Sequence, residues 1–453
     1  FQAEDGIRDS VASRGLGDVY KRQLLKMSIA IIGSGMAGLS AAYDLTKAGN
    51  KVVLFDGAEE VGGLASGFKV DQWEWTLERF YHHWFASDQH VLRLASELNC
   101  TEQILFRRPD TMMYHQGAFY PLDSPMSALL FPGLGWGINK LRFGITTLYL
   151  RFAKDWHSLE KISAANWMKR WAGTDVYRAM WEPLLKAKFG HYSDDIPMSW
   201  LWARIHTRTA QLGTFQGGFQ MFLNLLADKV HEQGGEIHLN KRVEHISPTA
   251  DSKLRIKVND EEIVFDQCIA TCSPKQLLQI TPSIPTQYAS KVNNLQSIGA
   301  IVLVLALKKR LTNHYWFNLP ANAGFPFLAL VEHTNFVSPS HFGGEHIIYC
   351  GQYLETNHRN FLMTSEEITR QYLPALTRFN QNFDESWINK SWVFRSPYAQ
   401  PVPSINLSSK IPELQTPIKG LWLASMSQVY PWDRGTNFAI ELGRRVASHL
   451  LKP

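Results

Sequence analysis

The residues from Ser28 to Asp56 constrain the chain most tightly; they read SIAIIGSGMAGLSAAYDLTKAGNKVVLFD. Ser28 to Ile32 is a short apolar run suited to a buried parallel strand, and Gly33, Ser34, Gly35, Met36, Ala37 and Gly38 complete a G-x-G-x-x-G turn. Leu39, Ala42, Leu45 and Ala48 recur at helical spacing, and Lys51 to Phe55 reads as a second strand ending on Asp56. Each residue type has a physical reason. Gly33 permits the tight turn, Gly35 lets backbone approach a pyrophosphate, and Gly38 lets the helix pack closely on the strand. The helix start offers unpaired N–H groups and the positive end of a dipole to phosphates. Asp56, 21 residues after Gly35, is placed to accept hydrogen bonds from a ribose diol. The unit predicts an α/β fold that binds a dinucleotide.

Composition narrows the class further. At 453 residues the chain has two or three domains' worth of length, and 45% hydrophobic against 19% charged residues predicts a globular protein. The net charge of +5 is spread without a long basic run, so no nucleic-acid partner is expected. Cys100, Cys268, Cys272 and Cys350 are too few and too scattered for a disulfide framework, which fits a cytoplasmic location. The nearest approach to a spanning segment, Met126 to Phe152, is broken by Lys140, Arg142 and Arg151, so peripheral membrane contact is left open but a span is not expected. No HExxH and no nucleophile elbow in strand-to-helix context is present, so neither a metal site nor a hydrolase is indicated.

The first residues stand apart. Phe1 to Gln23 mixes charge and glycine without an apolar period and resembles the translated read-through of a sequencing adaptor. Residues 1–26 are therefore expected to be a non-native or disordered leader, with the native chain starting near Met27.

Just after the acidic strand, Glu59, Glu60, Val61, Gly62 and Gly63 add a second glycine pair. This extended fingerprint resembles the FAD-dependent amine oxidase superfamily, which includes protoporphyrinogen oxidases, phytoene desaturases and monoamine oxidases. The resemblance implies FAD, with Gly62 and Gly63 near its pyrophosphate and flavin end. Leu64 and Ala65 follow where amine oxidases often carry an arginine, which is closer to the desaturase and porphyrinogen oxidase branches. Near the other end, Gly420 to Ser425 reads as a strand, and Gln428 to Asn437 as a loop leading to a helix with apolar positions Phe438, Leu442, Val446 and Leu450. By resemblance, that helix aims its positive N-terminus at the flavin through Thr436, Asn437 and Phe438, and Asp433 makes polar contacts to the ribityl or phosphate groups. Thr214 to Ile246 carries a third block, in which the backbone of Val243 would meet the adenine end, and Asp266 to Cys272 looks like the next family strand.

The fold class implied is α/β: an FAD-binding Rossmann-like domain interleaved with a mixed-sheet, helix-capped substrate domain. Residues 27–87, 214–280 and 415–453 are assigned to the first and 88–213 and 281–414 to the second. Seven tryptophans fall between Trp136 and Trp202, as expected of a cap over an apolar cavity. The expected activity is hydride transfer to flavin N5 from a C–N or C–C bond of an apolar or ring-shaped small molecule. His82, His83 and Tyr398 are the candidate catalytic residues, the histidines as proton donors or acceptors near neutral pH. Arg79, Tyr81, Arg395 and Tyr430 are the candidate substrate contacts. Two other classes stay open. One is a flavin isomerase resembling UDP-galactopyranose mutase, acting on a nucleotide sugar, for which Arg79, Arg204, Arg208 and Arg395 would have to converge as a diphosphate clamp. The other is a flavin-binding protein without turnover.

Overall fold

The structure, a computed structural model, describes residues 26–452, and the expected leader lies outside them but for Lys26. Strand β1 (Ser28–Ile32), helix α1 (Met36–Lys47) and strand β2 (Lys51–Phe55) form where the glycine unit predicts them. They are followed by the hairpin β3 (Thr111–His115) and β4 (Ala118–Pro121), then by a helical region containing α2 (Ile138–Phe152) and α3 (Met198–Thr207). Helix α4 (Phe219–Glu232) leads to β5 (Glu236–His238) and, after a three-stranded antiparallel meander over 243–265, to β6 (Gln267–Ala270). Strands β7 (Gln296–Leu307), β8 (Trp316–Asn318), β9 (Ala329–Glu332), β10 (His346–Leu354) and β11 (Ile388–Val402) come next, and β12 (Leu421–Leu423) and α5 (Thr436–Leu450) close the chain.

Two sheets organise these elements. A parallel sheet runs in the order β5-β2-β1-β6-β12, with Ile29 beside Val52 and Gln267, so β1 is central and its residues 29–31 are fully buried. A mixed sheet runs β11-β7-β10-β9-β8-β3-β4, with β8 and β3 its parallel pair. The apolar run of β7 is buried on both faces, as its continuous hydrophobic sequence requires. The chain is thus an α/β protein in which a Rossmann-like sheet and a helix-capped mixed sheet are built from alternating segments.

Helices α1 and α5 lie against one another on the parallel sheet. A Cβ added to Gly443 would sit 2.1 Å from the Ala37 carbonyl oxygen, so the glycine is what allows this approach. That contact also sets which face of α5 is buried. Ile440, Leu442, Gly443, Val446 and Ala447 face inward, whereas Phe438 and Leu450, expected on the apolar face, are only half buried. Four residues advance a helix by about 400°, so an i+4 series drifts off the core within three steps. The α-helix that begins at Ser365 stops at Tyr372 and continues as a tighter 3₁₀ stretch over Leu373–Arg378. Pro374 lacks the N–H that the α-helix needs there.

Candidate active site

The glycine cradle comes together from two loops. Gly35 and Gly62 form an isolated parallel bridge, and the Gly62 N–H donates to the Ser34 carbonyl at 2.9 Å. Asp56 braces the first turn: its Oδ2 accepts from both the N–H and the hydroxyl of Ser34 at 2.7 Å, and its Oδ1 from the Ala58 N–H at 2.9 Å. Gly38 packs on protein, since a Cβ there would lie 1.9 Å from the Gly33 carbonyl oxygen. Gly35 does not. A Cβ there would meet only the Gly62 carbonyl oxygen at 3.9 Å, and one on Gly435 would meet nothing within 4 Å. The backbone of both residues is extended enough for any side chain, so protein packing does not explain their being glycine. The starts of α1 and α5, which these two glycines precede, also lack side-chain caps. Open glycine faces before two uncapped, electropositive helix starts fit a dinucleotide.

Other expected cofactor residues have partners of their own. Asn437 Oδ1 accepts from the N–H groups of His90 and Val91 at 3.0 and 3.1 Å, capping the helix Gln89–Glu97. Thr436 Oγ1 accepts from the Trp84 indole at 2.8 Å, and Phe438 stacks on Trp432. What Thr436, Asn437 and Phe438 leave for a cofactor is the backbone of the helix start. Met36 and Ala65 are buried, Ala37 lies under Gly443, and Val243 is buried at the start of the antiparallel meander.

Below the cradle a cavity is lined by Leu64, Tyr81, His82, Gln352, Tyr353 and Arg434, closed by Phe80, Ala300, Val302 and Ala399. The Tyr81 ring stands edge-on to Trp316 and Tyr349, in space that exists because residue 351 is glycine; a Cβ there would lie 2.6 Å from the ring. Burial pushes His82 down to about 4, and its Nδ1–H donates to the Phe80 carbonyl at 2.6 Å. Burial, reinforced by the positive field of Arg208, pushes His83 down to about 3, and its Nδ1 has no partner among the described residues. Of the two expected roles, donor or acceptor near neutral pH, these shifts disfavour a cationic acid and leave the acceptor role of a neutral imidazole.

The remaining expected residues do not meet at this cavity. The Tyr398 hydroxyl is occupied by the Ser425 and Ser427 hydroxyls at 2.8 and 2.7 Å and the Ser427 N–H at 3.0 Å. Tyr430 bonds Ser199 on α3 at 2.6 Å. Arg79 lies 3.9 Å from Glu60, and Arg395 donates to the Met363 carbonyl at 2.8 Å.

What does converge is a cation cluster that sequence reasoning grasped only in part. Asp433, expected at the cofactor, pairs instead with Arg204, accepts from the Trp200 indole at 3.3 Å, and lies 3.7 Å from Lys188 on the helix Glu182–Phe189. Next to it, Arg434 donates to Gln400 at 3.0 Å and to the Tyr353 hydroxyl. Arg208 lies over the Phe85 ring at 5.4 Å. Among the described residues, Asp433 is the carboxylate whose field reaches Lys188 and Arg208. Burial and the neighbouring arginines push Lys188 well below its ordinary range, and burial with Arg204 pushes Arg208 down to about 9. Asp433, although burial works to raise it, is held well below the usual carboxylate range by the four cations. A lysine and three arginines sharing one aspartate form a site in deficit of negative charge. Arg204 and Arg208 were singled out in sequence; Lys188 and Arg434 carried no motif.

The match to known proteins is decided by the family model for flavin-containing amine oxidoreductases, which fits residues 36–451. The chain belongs to that family. FAD is accordingly the cofactor of this family, and the cradle's open glycines fit its dinucleotide. Among curated relatives, this chain is 23% identical to a zeta-carotene desaturase of Synechococcus elongatus over 311 residues, 61% of this chain and 64% of that one, so the match spans less than two thirds of that relative's length. Among solved structures, cyclohexylamine oxidase from Brevibacterium oxydans shares 14% identity with a TM-score of 0.71, over 94% of this chain and 98% of that one. Reduced UDP-galactopyranose mutase shares 15% with a TM-score of 0.73, over 94% and 96%. At these identities the structural matches establish the fold.

Proposed function

We propose that this protein is an FAD-dependent oxidoreductase that takes a hydride from a C–N or C–C bond of a substrate anchored through an anionic group. The observation that carries the proposal is the continuous cavity wall, which begins at Leu64 beside the diglycine and ends at Arg434 in the cation cluster. Bound FAD supplies the two-electron acceptor. The chain's own residues position and enclose. Arg434, Arg208, Arg204 and Lys188 hold the anion, Tyr81 and Tyr353 wall the body of the substrate, and Ala300, Val302 and Ala399 keep water out. With Nδ1–H committed to Phe80, His82 has only Nε2 free to accept a proton.

A flavin isomerase acting on a nucleotide sugar is the second reading: of the four arginines it calls for, Arg204 and Arg208 lie in the cluster, where a diphosphate would be the anion, whereas Arg79 and Arg395 are engaged elsewhere. One screen separates the two. The purified yellow protein is mixed anaerobically with carboxylated and phosphorylated amines and polyenes, their neutral analogues, porphyrinogens and nucleotide sugars. Bleaching by anionic members, with half-saturation raised about tenfold or more in Arg434→Met at unchanged FAD content, supports the oxidoreductase. Equal bleaching by neutral analogues, untouched by the substitution, overturns the anion anchor. Turnover of a nucleotide sugar only after dithionite reduction selects the isomerase. A colourless preparation that cannot be reconstituted with FAD defeats both.

A further inference from the structure

Of the fourteen large hydrophobic side chains exposed among the described residues, ten lie between Met126 and Phe152. Within α2, Ile138, Leu141, Ile145, Leu148, Tyr149 and Phe152 are all more than half exposed, and at 100° per residue they form one stripe about 100° wide. The opposite side of the helix is buried through Phe143 and Leu150, so α2 is apolar on two faces and the protein covers only one. Before the helix, Leu130 is 70% exposed and Trp136 91%, with the Lys140 ammonium over the Trp136 ring at 4.6 Å.

Within this segment, between Asp123 and Asp155, the charge has one sign. From Ser124 to Lys154 the sequence contains Lys140, Arg142, Arg151 and Lys154 and no Asp or Glu. An apolar stripe edged by cations, with an exposed tryptophan beside a lysine, is complementary to the headgroup region of an anionic bilayer. At 15 residues α2 is about 22 Å long, too short to cross a hydrocarbon core, and no helix of the described residues is long and apolar enough to do so. The geometry that remains is a helix lying in the plane of the surface.

The stripe is also coupled to the active site. Arg151 donates to the carbonyls of Ile205, His206 and Arg208 at 3.0, 2.8 and 2.8 Å, which braces α2 against the C-terminal end of α3. Helix α3 carries Arg204 and is followed at once by Arg208, two members of the cation cluster. We propose that Met126 to Phe152 is a bilayer-docking face that seats the protein on an anionic membrane surface with the cation cluster next to it. The docking itself is independent of what the flavin site transforms.

The test uses the full FAD-loaded chain and vesicles of phosphatidylcholine alone or mixed with phosphatidylglycerol. Cosedimentation is expected with the mixed vesicles and little with the neutral ones, falling as salt is raised. The triple variant Leu141→Glu, Ile145→Glu, Leu148→Glu should weaken partitioning about tenfold or more at unchanged FAD content. Lys140→Ala with Arg142→Ala should flatten the salt dependence. A fluorophore on Leu148→Cys, sensitive to polarity, should shift to the blue on vesicle addition. The proposal is overturned if the wild-type protein stays in the supernatant with phosphatidylglycerol vesicles, or if the triple variant binds them equally. It is also overturned if light scattering shows a dimer that Ile145→Glu dissociates, because the face then belongs to a second copy of the chain.

Discussion

Glu78 shows how a residue without a motif is placed by its surroundings. It is 2% exposed and its Oε1 accepts from the Phe219 N–H at 2.8 Å, at the first turn of α4. Burial raises its carboxyl to about 7. The unfolded chain releases this proton near 4.5, so between there and about 7 the folded state holds more protons and stability falls as pH rises. The cost at high pH is on the order of 3 kcal/mol. Glu78→Gln keeps the acceptor and removes the titration, so it should be more stable than wild type at pH 8 and should lose that advantage by pH 5, as read by denaturant unfolding with FAD present. A parallel loss of stability in both proteins across that range would show that Glu78 does not titrate there. The protonation and partners of His82, His83 and Asp433 have the same origin. Their residue types were legible in sequence, but their protonation and partners depend on burial and on arginines distant in the chain.

At the scale of the element, the glycines separate into those the protein fills and those it leaves open. Gly443→Ala forces a methyl to within 2.1 Å of the Ala37 carbonyl, which must push α5 from α1. Overpacking of this kind costs about 1–3 kcal/mol, so a lower melting temperature in the FAD-free protein is expected. Gly35→Val meets no comparable obstacle from the chain. It should melt near wild type without FAD yet lose the yellow colour on purification, because its side chain projects where the pyrophosphate belongs. Retention of FAD by Gly35→Val would displace the cradle from this turn. Local signals served well here. The β3–β4 hairpin turns at Gln116 and Gly117, both at positive φ, 47° and 92°. They served less well where packing chose among faces, as in α5, whose buried side was set by its neighbour α1 rather than by its own apolar spacing.

The whole molecule draws its parallel sheet from segments at 28–55, 236–238, 267–270 and 421–423. The last strand pairs with β6, and α5 then covers α1, so the end of the chain completes a core begun by its start. A chain stopped before Leu421 is therefore expected to lose cooperative thermal unfolding and FAD retention together, rather than leave a stable shorter flavoprotein. A truncated protein that stays yellow with a sharp transition would refute this dependence. The sequence by itself determined the dinucleotide unit and the α/β class, because strand periodicity, glycine sterics and helix-start chemistry act over a few neighbouring residues; the family was indicated by resemblance. Only the tertiary structure decided that Lys188, Arg204, Arg208 and Arg434 share one carboxylate, that two histidines are neutral, and that one apolar face of α2 is left uncovered. Charge neutralisation, desolvation and burial act through space, between side chains far apart in the chain.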